Sequence, residues 1–267
     1  MCGAVMMDKS AMSVNKSQVA RRFAQAHHSY LQHAVIQQQI CQQLVRLMQS
    51  HLPSRKLGRV FEIGCGTGAL TRALEQHFQV QQLLLNDLYP EVQQQPFSTS
   101  RTEWWIGDAE QIAFPEQLDV LISSSALQWM QNLQQLFAKM AHALKPSGYL
   151  CFSSFGPDNL KEIKALTGQG LDYFSLPELR RCLESQGFEI VYLSETVKTL
   201  AFEHPRQVLQ HLKATGVTGT ASGHRWTKHS LQQFYQAYRQ FSRLNVAGQQ
   251  EYLLSYHPIY CIARSTG

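Results

Sequence analysis

One stretch of the sequence decides the fold: Val60-Phe61-Glu62-Ile63-Gly64-Cys65-Gly66-Thr67-Gly68. A short apolar segment, Arg59–Ile63, predicts a strand that enters a glycine-rich turn, and Ala69–Phe78 predicts a helix that leaves it. Glycine has no Cβ, so a chain with three glycines here can turn sharply and approach a bound ligand closely. The stretch therefore predicts a ligand-binding turn between a strand and a helix.

Strands and helices alternate along the chain after this turn. The predicted strands are Gln81–Leu85, Glu103–Ile106, Leu118–Ser123, Tyr149–Ser153 and Phe188–Leu193, and the predicted helices are Leu133–Leu144, Pro177–Gln186, Pro205–Ala214 and Lys228–Leu244. Pro146-Ser147-Gly148 predicts a turn, and the β-prone run Glu251–Ala263 predicts a final antiparallel hairpin that closes the sheet. This alternation predicts an α/β fold, a doubly wound and mostly parallel sheet covered by helices on both faces.

The 267 residues fit one domain. We expect a disordered lead-in over residues 1–18 and a single domain over residues 19–267, with N-terminal helices over residues 19–50. Apolar residues at helical spacing in Asn15–Ser50 predict two helices with a break near His27–Tyr30. Residues 157–187 and 203–245 are expected to form a small helical cap insertion over the sheet edge.

The six cysteines lie far apart, without a C-x-x-C pair, which makes a zinc site or a disulfide framework a poor interpretation. We expect no metal, a reducing cytoplasm and a monomer. Cys65, within the glycine turn, is expected to be a small filler rather than a reactive thiol. No run reaches the roughly 18 apolar residues that span a bilayer, so no membrane association is expected.

The net charge of +5 is concentrated in one block. Between Lys198 and Arg243 the sequence has one acidic residue, Glu203, and seven basic ones, which are Lys198, Arg206, Lys213, Arg225, Lys228, Arg239 and Arg243. Such a block indicates either an acidic partner or a solvated basic face without one. Nucleic acid is not favoured, because no basic motif with interleaved aromatic residues accompanies the charges.

Three acidic residues follow the predicted strands at one sheet edge. Glu62 precedes the first glycine, Asp87 ends the second strand, and Asp108 follows the third. Ligands of open α/β sheets bind at this edge, where Asp87 could accept from ribose hydroxyls and Asp108 from an exocyclic adenine amine. The glycines are spaced G-x-G-x-G rather than G-x-G-x-x-G, and Glu62 would repel a pyrophosphate. A cationic nucleoside without phosphate is therefore favoured over a nicotinamide dinucleotide.

These motifs resemble those of class I S-adenosylmethionine-dependent methyltransferases. Within that class, other segments are similar to the malonyl-acyl-carrier-protein O-methyltransferases of biotin synthesis, from about Val19 to Arg264. The similar segments are Ser123–Trp129, Asn132-Leu133, Ser154–Glu162, Arg22-Phe23, Tyr30, Leu212-Lys213, Gly216 and Tyr256-His257.

The resemblance implies a seven-stranded sheet, S-adenosyl-L-methionine as cofactor and S-adenosyl-L-homocysteine as product. It implies cofactor contacts from Glu62, Gly64, Gly66, Gly68, Asp87, Leu88, Asp108, Ala109 and Ser124, and substrate contacts from Gln128, Trp129, Phe155 and His257. Tyr30 and Lys213 are the candidate catalytic residues, which would hold the methyl-accepting carboxylate. Each also has a plain alternative: Tyr30 a core aromatic residue, Lys213 a surface lysine and His257 a core histidine.

The implied reaction is methylation of the free carboxylate of malonyl-acyl carrier protein, the starting ester for pimeloyl synthesis. A carboxylate with a pKa near 4 is ionised at neutral pH, so no general base is needed. Acyl carrier protein is acidic, and a basic face that includes Arg206, Lys213 and Arg225 is expected to dock it. The alternative is a methyltransferase of a free small carboxylic acid or a quinone precursor.

Overall fold

A computed structural model describes residues 16, 34–94, 97, 101–215 and 226–267. The α-helices that the structure describes with their bounds are α1 (Val35–His51), α2 (Ala69–His77), α3 (Leu133–Ala143), α4 (Lys161–Thr167), α5 (Leu176–Ser185), α6 (Pro205–Ala214) and α7 (Lys228–Ala237). The strands are β1 (Lys56–Ile63), β2 (Gln79–Asp87), β3 (Thr102–Ile106), β4 (Leu118–Ser124), β5 (Leu144–Phe155), β6 (Phe188–Glu195), β7 (Lys198–Phe202), β8 (Ser242–Leu244), β9 (Gln250–Tyr256) and β10 (Pro258–Ser265).

The main sheet has seven strands in the order β3-β2-β1-β4-β5-β10-β6. Neighbouring strands from β3 to β5 pair in parallel, and β10 runs antiparallel to both β5 and β6. The strand order reverses between β1 and β4, so the carboxyl ends of these central strands flank a crevice where such sheets bind ligands. The predicted fold class, a doubly wound and mostly parallel seven-stranded sheet, is confirmed.

Both faces of the sheet are buried. On β1, Val60 belongs to the core on the side of α1 and α2, whereas Phe61 and Ile63 belong to the core on the side of α3 and α5. Successive strand residues point to opposite faces, which explains why β1 is an almost continuous apolar run. Helix α1 covers its side with Ile40, Leu44 and Met48, each fully buried at helical spacing.

The C-terminal strands differ from the predicted hairpin. The run Glu251–Ala263 divides at His257 into β9 and β10, and these two strands belong to different sheets. Strand β9 pairs with β7 and β8 in a second, three-stranded antiparallel sheet, while β10 alone enters the main sheet. The prediction of one closing hairpin was wrong, because β-propensity along a run does not specify its pairing partners.

Other element boundaries also differ. The predicted turn Pro146-Ser147-Gly148 forms an irregularity within the long strand β5, where Ser147 is left-handed with φ of 63° and the register with β4 shifts. The helix predicted over Lys228–Leu244 stops at Ala237, where a 3-10 turn and β8 follow. Helix α5, assigned by sequence to the cap, buries Leu179 and Leu183 in the core beside the main sheet. The cap boundaries as predicted, and the lead-in over residues 1–18, remain predictions.

Candidate active site

The glycine turn joins the end of β1 to α2. Gly64, Gly66 and Gly68 all adopt left-handed backbone conformations, with φ of 70°, 51° and 72°. A Cβ on Gly64 would lie 2.5 Å from the Cβ of Ala126, so close packing requires glycine there. A Cβ on Gly66 would meet no atom within 4 Å, because that residue faces open space. The turn thus leaves a cradle in front of Gly66 that a larger side chain would fill.

Residues at the end of β2 hold this turn in place. The main-chain oxygen of Asn86 accepts from the N–H groups of Gly64 and Cys65, and the Asn86 side chain donates to the oxygen of Gly107 at 2.9 Å. Asp87 accepts through Oδ2 from the N–H of Gly66 at 2.8 Å and through Oδ1 from the N–H of Tyr89 at 3.0 Å. Burial raises the pKa of the Asp87 carboxyl.

The loop after β3 carries a second acid, Asp108. Both of its oxygens lie 2.7 Å from the ammonium of Lys16, which also pairs with Glu110. Glu110 in turn accepts from the N–H groups of Gln131 and Asn132 ahead of α3. From behind, Lys139 donates to the main-chain oxygen of Ala109 at 2.8 Å. The Asp108 loop is therefore fixed from both sides.

These groups face one cavity of about 190 Å³ at the carboxyl edge of the sheet. Of the residues predicted from sequence to bind cofactor or substrate, the structure places on its wall Gly64, Gly66, Asp87, Leu88, Asp108, Ala109, Ser124 and Trp129. Much of the remaining wall is apolar, with Leu70, Val92 and Met130 among its residues. The cavity has the combination typical of small-molecule sites, an apolar wall with a few convergent polar groups.

Helix α1 and strand β4 form the opposite wall. The Cys41 thiol donates to Ser124 Oγ at 3.3 Å, and that hydroxyl lies 2.9 Å from Ser153 Oγ. Burial raises the pKa of Cys41 to about 12 and that of Cys65 well above its ordinary value. Both side chains are therefore thiols at neutral pH, and neither has the thiolate character of a nucleophile.

Glu62 lies beneath the turn rather than in the cavity wall. It shares the face of β1 with Val60, is 1% exposed, and accepts from Thr71 Oγ1 of α2 at 2.6 Å. Burial is the main cause that raises its pKa from an ordinary 4.5 to about 8. Alternation along β1 turns this side chain toward α2, so Glu62 does not line the cavity, and its predicted contact with a cationic ligand stays a prediction.

Gly68 and Gln128 were also predicted to contact ligand, but neither lines the cavity. Gly68 is the N-cap residue of α2. Gln128 donates through Nε2 to the main-chain oxygen of Ser125 at 2.5 Å, within the 3-10 turn Leu127–Trp129. Its role in this structure is to shape the turn that brings Trp129 to the cavity.

Phe155 and His257 lie in the core behind the cavity and do not line it. The Phe155 ring packs against Tyr173 and Tyr256. His257 Nδ1 accepts from the N–H of Asp158 at 3.1 Å, so Nε2 carries the proton that faces Glu195 at 3.2 Å. Both ring nitrogens of His257 have protein partners, and this arrangement is the one expected of a histidine in the core.

The two candidate catalytic residues are not brought together by the described part of the chain. Lys213 is exposed on α6 and does not line the cavity. Tyr30 lies outside the described residues, as do Arg22, Phe23, Gly216, Arg225 and the predicted break near His27–Tyr30. The roles predicted for Tyr30 and Lys213 stay predictions.

Sequence analysis did not single out several residues of the cavity wall, among them Lys16, Gln37, Cys41 and Asn86. A signal existed for Asn86, a polar residue that ends the apolar run Leu83-Leu84-Leu85. Helical periodicity marks Gln37 and Cys41 on the buried face of α1 but does not tell which part of the sheet that face covers.

The described residues contain no group of three or more His, Cys, Asp or Glu side chains placed to hold a metal. Within the same residues, no helix combines the length and the apolar composition needed to cross a bilayer. What the cavity does fit is a nucleoside with a cationic extension: the cradle at Gly66 is open, and two carboxylates stand at neighbouring strand ends.

Comparison with known proteins identifies the class to which this chain belongs. Residues 30–193 match a family described as "Methyltransferase domain". A solved structure of a methyltransferase from Bacillus halodurans superposes with a TM-score of 0.59 at 19% identity, covering 83% of this chain and 97% of that one. Together with the sheet order and the cavity, these matches define a methyltransferase of the Rossmann-like class.

Two curated relatives narrow the class. A malonyl-[acyl-carrier protein] O-methyltransferase from Acinetobacter baylyi is 48% identical over 96% of this chain and 99% of its own length. A second protein with the same name, from Bacteroides thetaiotaomicron, is 39% identical over 94% of this chain and 98% of its own length. This chain belongs to the malonyl-[acyl-carrier protein] O-methyltransferase family.

Proposed function

We propose that this protein transfers a methyl group from S-adenosylmethionine to the free carboxylate of malonyl-acyl carrier protein, and so makes the methyl ester that starts pimeloyl synthesis for biotin. One observation carries the proposal: the glycine turn, Asp87, Asp108 and Ser124 face a single cavity at the carboxyl edge of the sheet. Full-length similarity to enzymes that bear this name supports the choice of methyl acceptor.

The chain's own residues would hold the cofactor at this edge. S-adenosylmethionine, when bound, supplies an activated methyl group on a sulfonium. Asp87 would accept from the ribose hydroxyls, since it already stands at the Gly66 N–H, and Asp108 would accept from the exocyclic amine of adenine. The open space at Gly66 would admit the ligand close to the backbone.

Catalysis would come from positioning rather than from proton transfer. A malonyl carboxylate is ionised at neutral pH and is already a nucleophile, so no general base has to act on it. The protein's task is to align the acceptor with the methyl group, and alignment of two reactants supplies a large share of a bimolecular barrier. Leu70, Trp129 and Met130 in the wall would keep water from the reactants.

The methyl acceptor has two proposed contacts. The hydroxyl of Tyr30 would donate to the malonyl carboxylate, and Lys213 would pair with it from the cap. For Lys213 the exposed position on α6 gives a second use, because Arg206 is exposed on the same helix and Pro205–Ala214 contains no acid. These cations, with Arg225, would form the face that docks the acidic carrier protein.

A monomer in a reducing cytoplasm completes the proposal, and the cysteines support the reducing compartment. Cys41, Cys65, Cys151, Cys182 and Cys261 are all free, and all but Cys182 are buried.

The experiment is a comparison of methyl acceptors at fixed S-adenosylmethionine. We expect kcat/KM for malonyl-acyl carrier protein to exceed the values for malonyl-coenzyme A, for free malonate and for a quinone precursor. A quinone precursor or a free acid methylated faster than the carrier-bound malonyl group would overturn the proposed substrate and leave the methyltransferase class intact.

A further inference from the structure

Gln37 is a buried polar side chain with an unpaired oxygen. It lies on α1, is 6% exposed, and lines the cavity. Its Oε1 atom is shielded from solvent and has no hydrogen-bond donor among the residues that the structure describes. Leaving a buried amide oxygen without a donor destabilises a folded protein, so such groups need an explanation.

The other end of the amide is held by a polar cluster. The side chains of Gln37 and Thr215 are hydrogen-bond partners of the Tyr256 hydroxyl, and His211 Nε2 lies 2.8 Å from the same hydroxyl. A Gln37 amide that donates through Nε2 to Tyr256 is left with its carbonyl oxygen free to accept. The side chain therefore offers one hydrogen-bond acceptor to a ligand, and a ligand donor would complete its hydrogen bonding.

Gln37 and the acids that would hold adenosine lie over different strands of the sheet. Asp87 ends β2 and Asp108 follows β3, on one side of β1. Cys41, one turn after Gln37 on α1, contacts Ser124 at the end of β4, on the other side of β1. An adenosine held over β2 and β3 places the rest of the ligand over β1 and β4, beside Gln37.

A second unpaired polar group lies on the same wall. Ser125 lines the cavity with a left-handed backbone, φ 55°, and its buried hydroxyl has no partner within the described part of the chain. Two unsatisfied polar groups, one from α1 and one from the end of β4, indicate that a polar part of the ligand binds between them.

We propose that Gln37 Oε1 accepts a hydrogen bond from the α-ammonium of the cofactor's amino-acid portion. An ammonium has three donors and no acceptor, and it suits an unpaired carbonyl oxygen. A malonyl carboxylate has acceptors alone and would be repelled. Glu62 lies beneath the turn, where its Oε2 accepts from Thr71, and it is not among the residues that line the cavity. The inference rests on the proposed function, since it assumes S-adenosylmethionine in this cavity.

The test measures binding rather than turnover. Gln37→Leu removes the oxygen, and Gln42→Leu is the matched control, the same replacement at an exposed position of α1. Calorimetry would compare three ligands: S-adenosylhomocysteine, its decarboxylated form, which keeps the amine, and methylthioadenosine, which lacks the whole amino-acid portion. Hydrogen bonds to charged groups correspond to about a tenfold or larger change in affinity.

We expect Gln37→Leu to weaken both amine-bearing ligands by the same factor of about ten or more and to leave methylthioadenosine unchanged. Gln42→Leu should bind all three ligands as the unaltered protein does. Gln37→Glu, which keeps an acceptor oxygen, should bind the decarboxylated ligand more tightly than Gln37→Leu does.

Three results would overturn the inference. Loss for S-adenosylhomocysteine without loss for its decarboxylated form would assign the amide to the ligand carboxylate. Equal loss for all three ligands would make Gln37 a packing residue, and no loss would remove it from the site. Failure of the unaltered protein to bind S-adenosylhomocysteine would instead contradict the proposed function.

Discussion

Asp87, at the end of β2, is bonded to the glycine turn that follows β1: its Oδ2 accepts a hydrogen bond from the backbone N–H of Gly66 at 2.8 Å. The carboxylate therefore holds the glycine turn in its left-handed conformation and also lines the cavity. Its second oxygen is occupied in part by the N–H of Tyr89, so the side chain has little freedom to turn away from the cavity.

Replacing Asp87 should weaken cofactor binding strongly. We expect Asp87→Ala to lower the affinity for S-adenosylmethionine by on the order of 1.5–3 kcal/mol, the scale of hydrogen bonds to charged groups. Asp87→Asn keeps an oxygen that can accept from Gly66 and should lose less. Calorimetric titration of both variants gives the comparison, and an Asp87→Ala protein with unchanged affinity would remove this residue from the cofactor site.

The open space at Gly66 leads to a second prediction with an internal control. Gly66 and Gly168 both have positive φ, 51° and 67°, and a Cβ on either would meet nothing within 4 Å. Alanine at each position should therefore cost a similar free energy of unfolding, about 1–2 kcal/mol from backbone strain. Only Gly66 lines the cavity, so Gly66→Ala, and more so Gly66→Val, should lose cofactor affinity.

Denaturant unfolding and calorimetry would be run on the same preparations. Equal cofactor affinity in Gly66→Ala and Gly168→Ala would show that the space in front of Gly66 is not used by the ligand.

Glu62 gives a prediction about pH. Its pKa is about 8 in the folded protein and near 4.5 in an exposed chain, so the folded state keeps a proton that the unfolded state releases between these values. The protonated Glu62 carboxyl therefore makes its full contribution to the free energy of unfolding below about pH 4.5, and this contribution is lost as the pH rises through about 8. Glu62→Gln cannot ionise and should escape this loss.

We expect the free energy of unfolding of the unaltered protein to fall relative to that of Glu62→Gln between pH 5 and pH 8, by at least about 1 kcal/mol, since each pH unit in the window counts for up to about 1.4 kcal/mol. Glu116→Gln, at an exposed glutamate, is the control for general pH effects. Parallel pH profiles for the unaltered protein and Glu62→Gln would contradict the buried, protonated state.

Docking of the carrier protein gives a prediction about charge. Arg206→Glu on α6 should raise KM for malonyl-acyl carrier protein and leave kcat nearly unchanged, because rim charges act mainly on encounter. The effect should fade as salt rises through about 0.15 M, where screening acts over roughly 8 Å. Malonyl-coenzyme A has the same thioester without the acidic protein and should be affected less.

The matched control is Lys56→Glu, an exposed charge reversal at the start of β1, at the opposite sheet edge from the glycine turn. It should leave KM for malonyl-acyl carrier protein unchanged. Equal losses for both reversals, or for both malonyl substrates at every salt concentration, would mean that α6 is not the docking face.

The sequence predicted the sheet and the acids at its edge because both depend on local pattern. Strand ends are marked where apolar runs meet glycine or acid, and parallel strands bring those ends together, which placed Asp87 and Asp108 correctly at one cavity. Pairing was harder to predict, because the division of Glu251–Ala263 at His257 depends on partners distant in the chain.

Side-chain direction was the other difficulty. Glu62 sits two residues before the first glycine in a strand buried on both faces, so the sequence offers no polar face to show which way the carboxylate points. Gln37 is one of three consecutive glutamines, Gln37-Gln38-Gln39, and its place in the cavity wall follows from the packing of α1 over β4. Tertiary contact decides both cases.

The central claim is transfer of a methyl group to the free carboxylate of a carrier-bound malonyl group, and isotope transfer tests it most directly. The protein would be incubated with S-adenosylmethionine tritiated in its methyl group and either malonyl- or acetyl-acyl carrier protein, which differ by that carboxylate. We predict base-labile tritium on malonyl-acyl carrier protein, approaching one methyl per carrier, and none on acetyl-acyl carrier protein. An unlabelled malonyl carrier, or equal label on both carriers, would contradict the account.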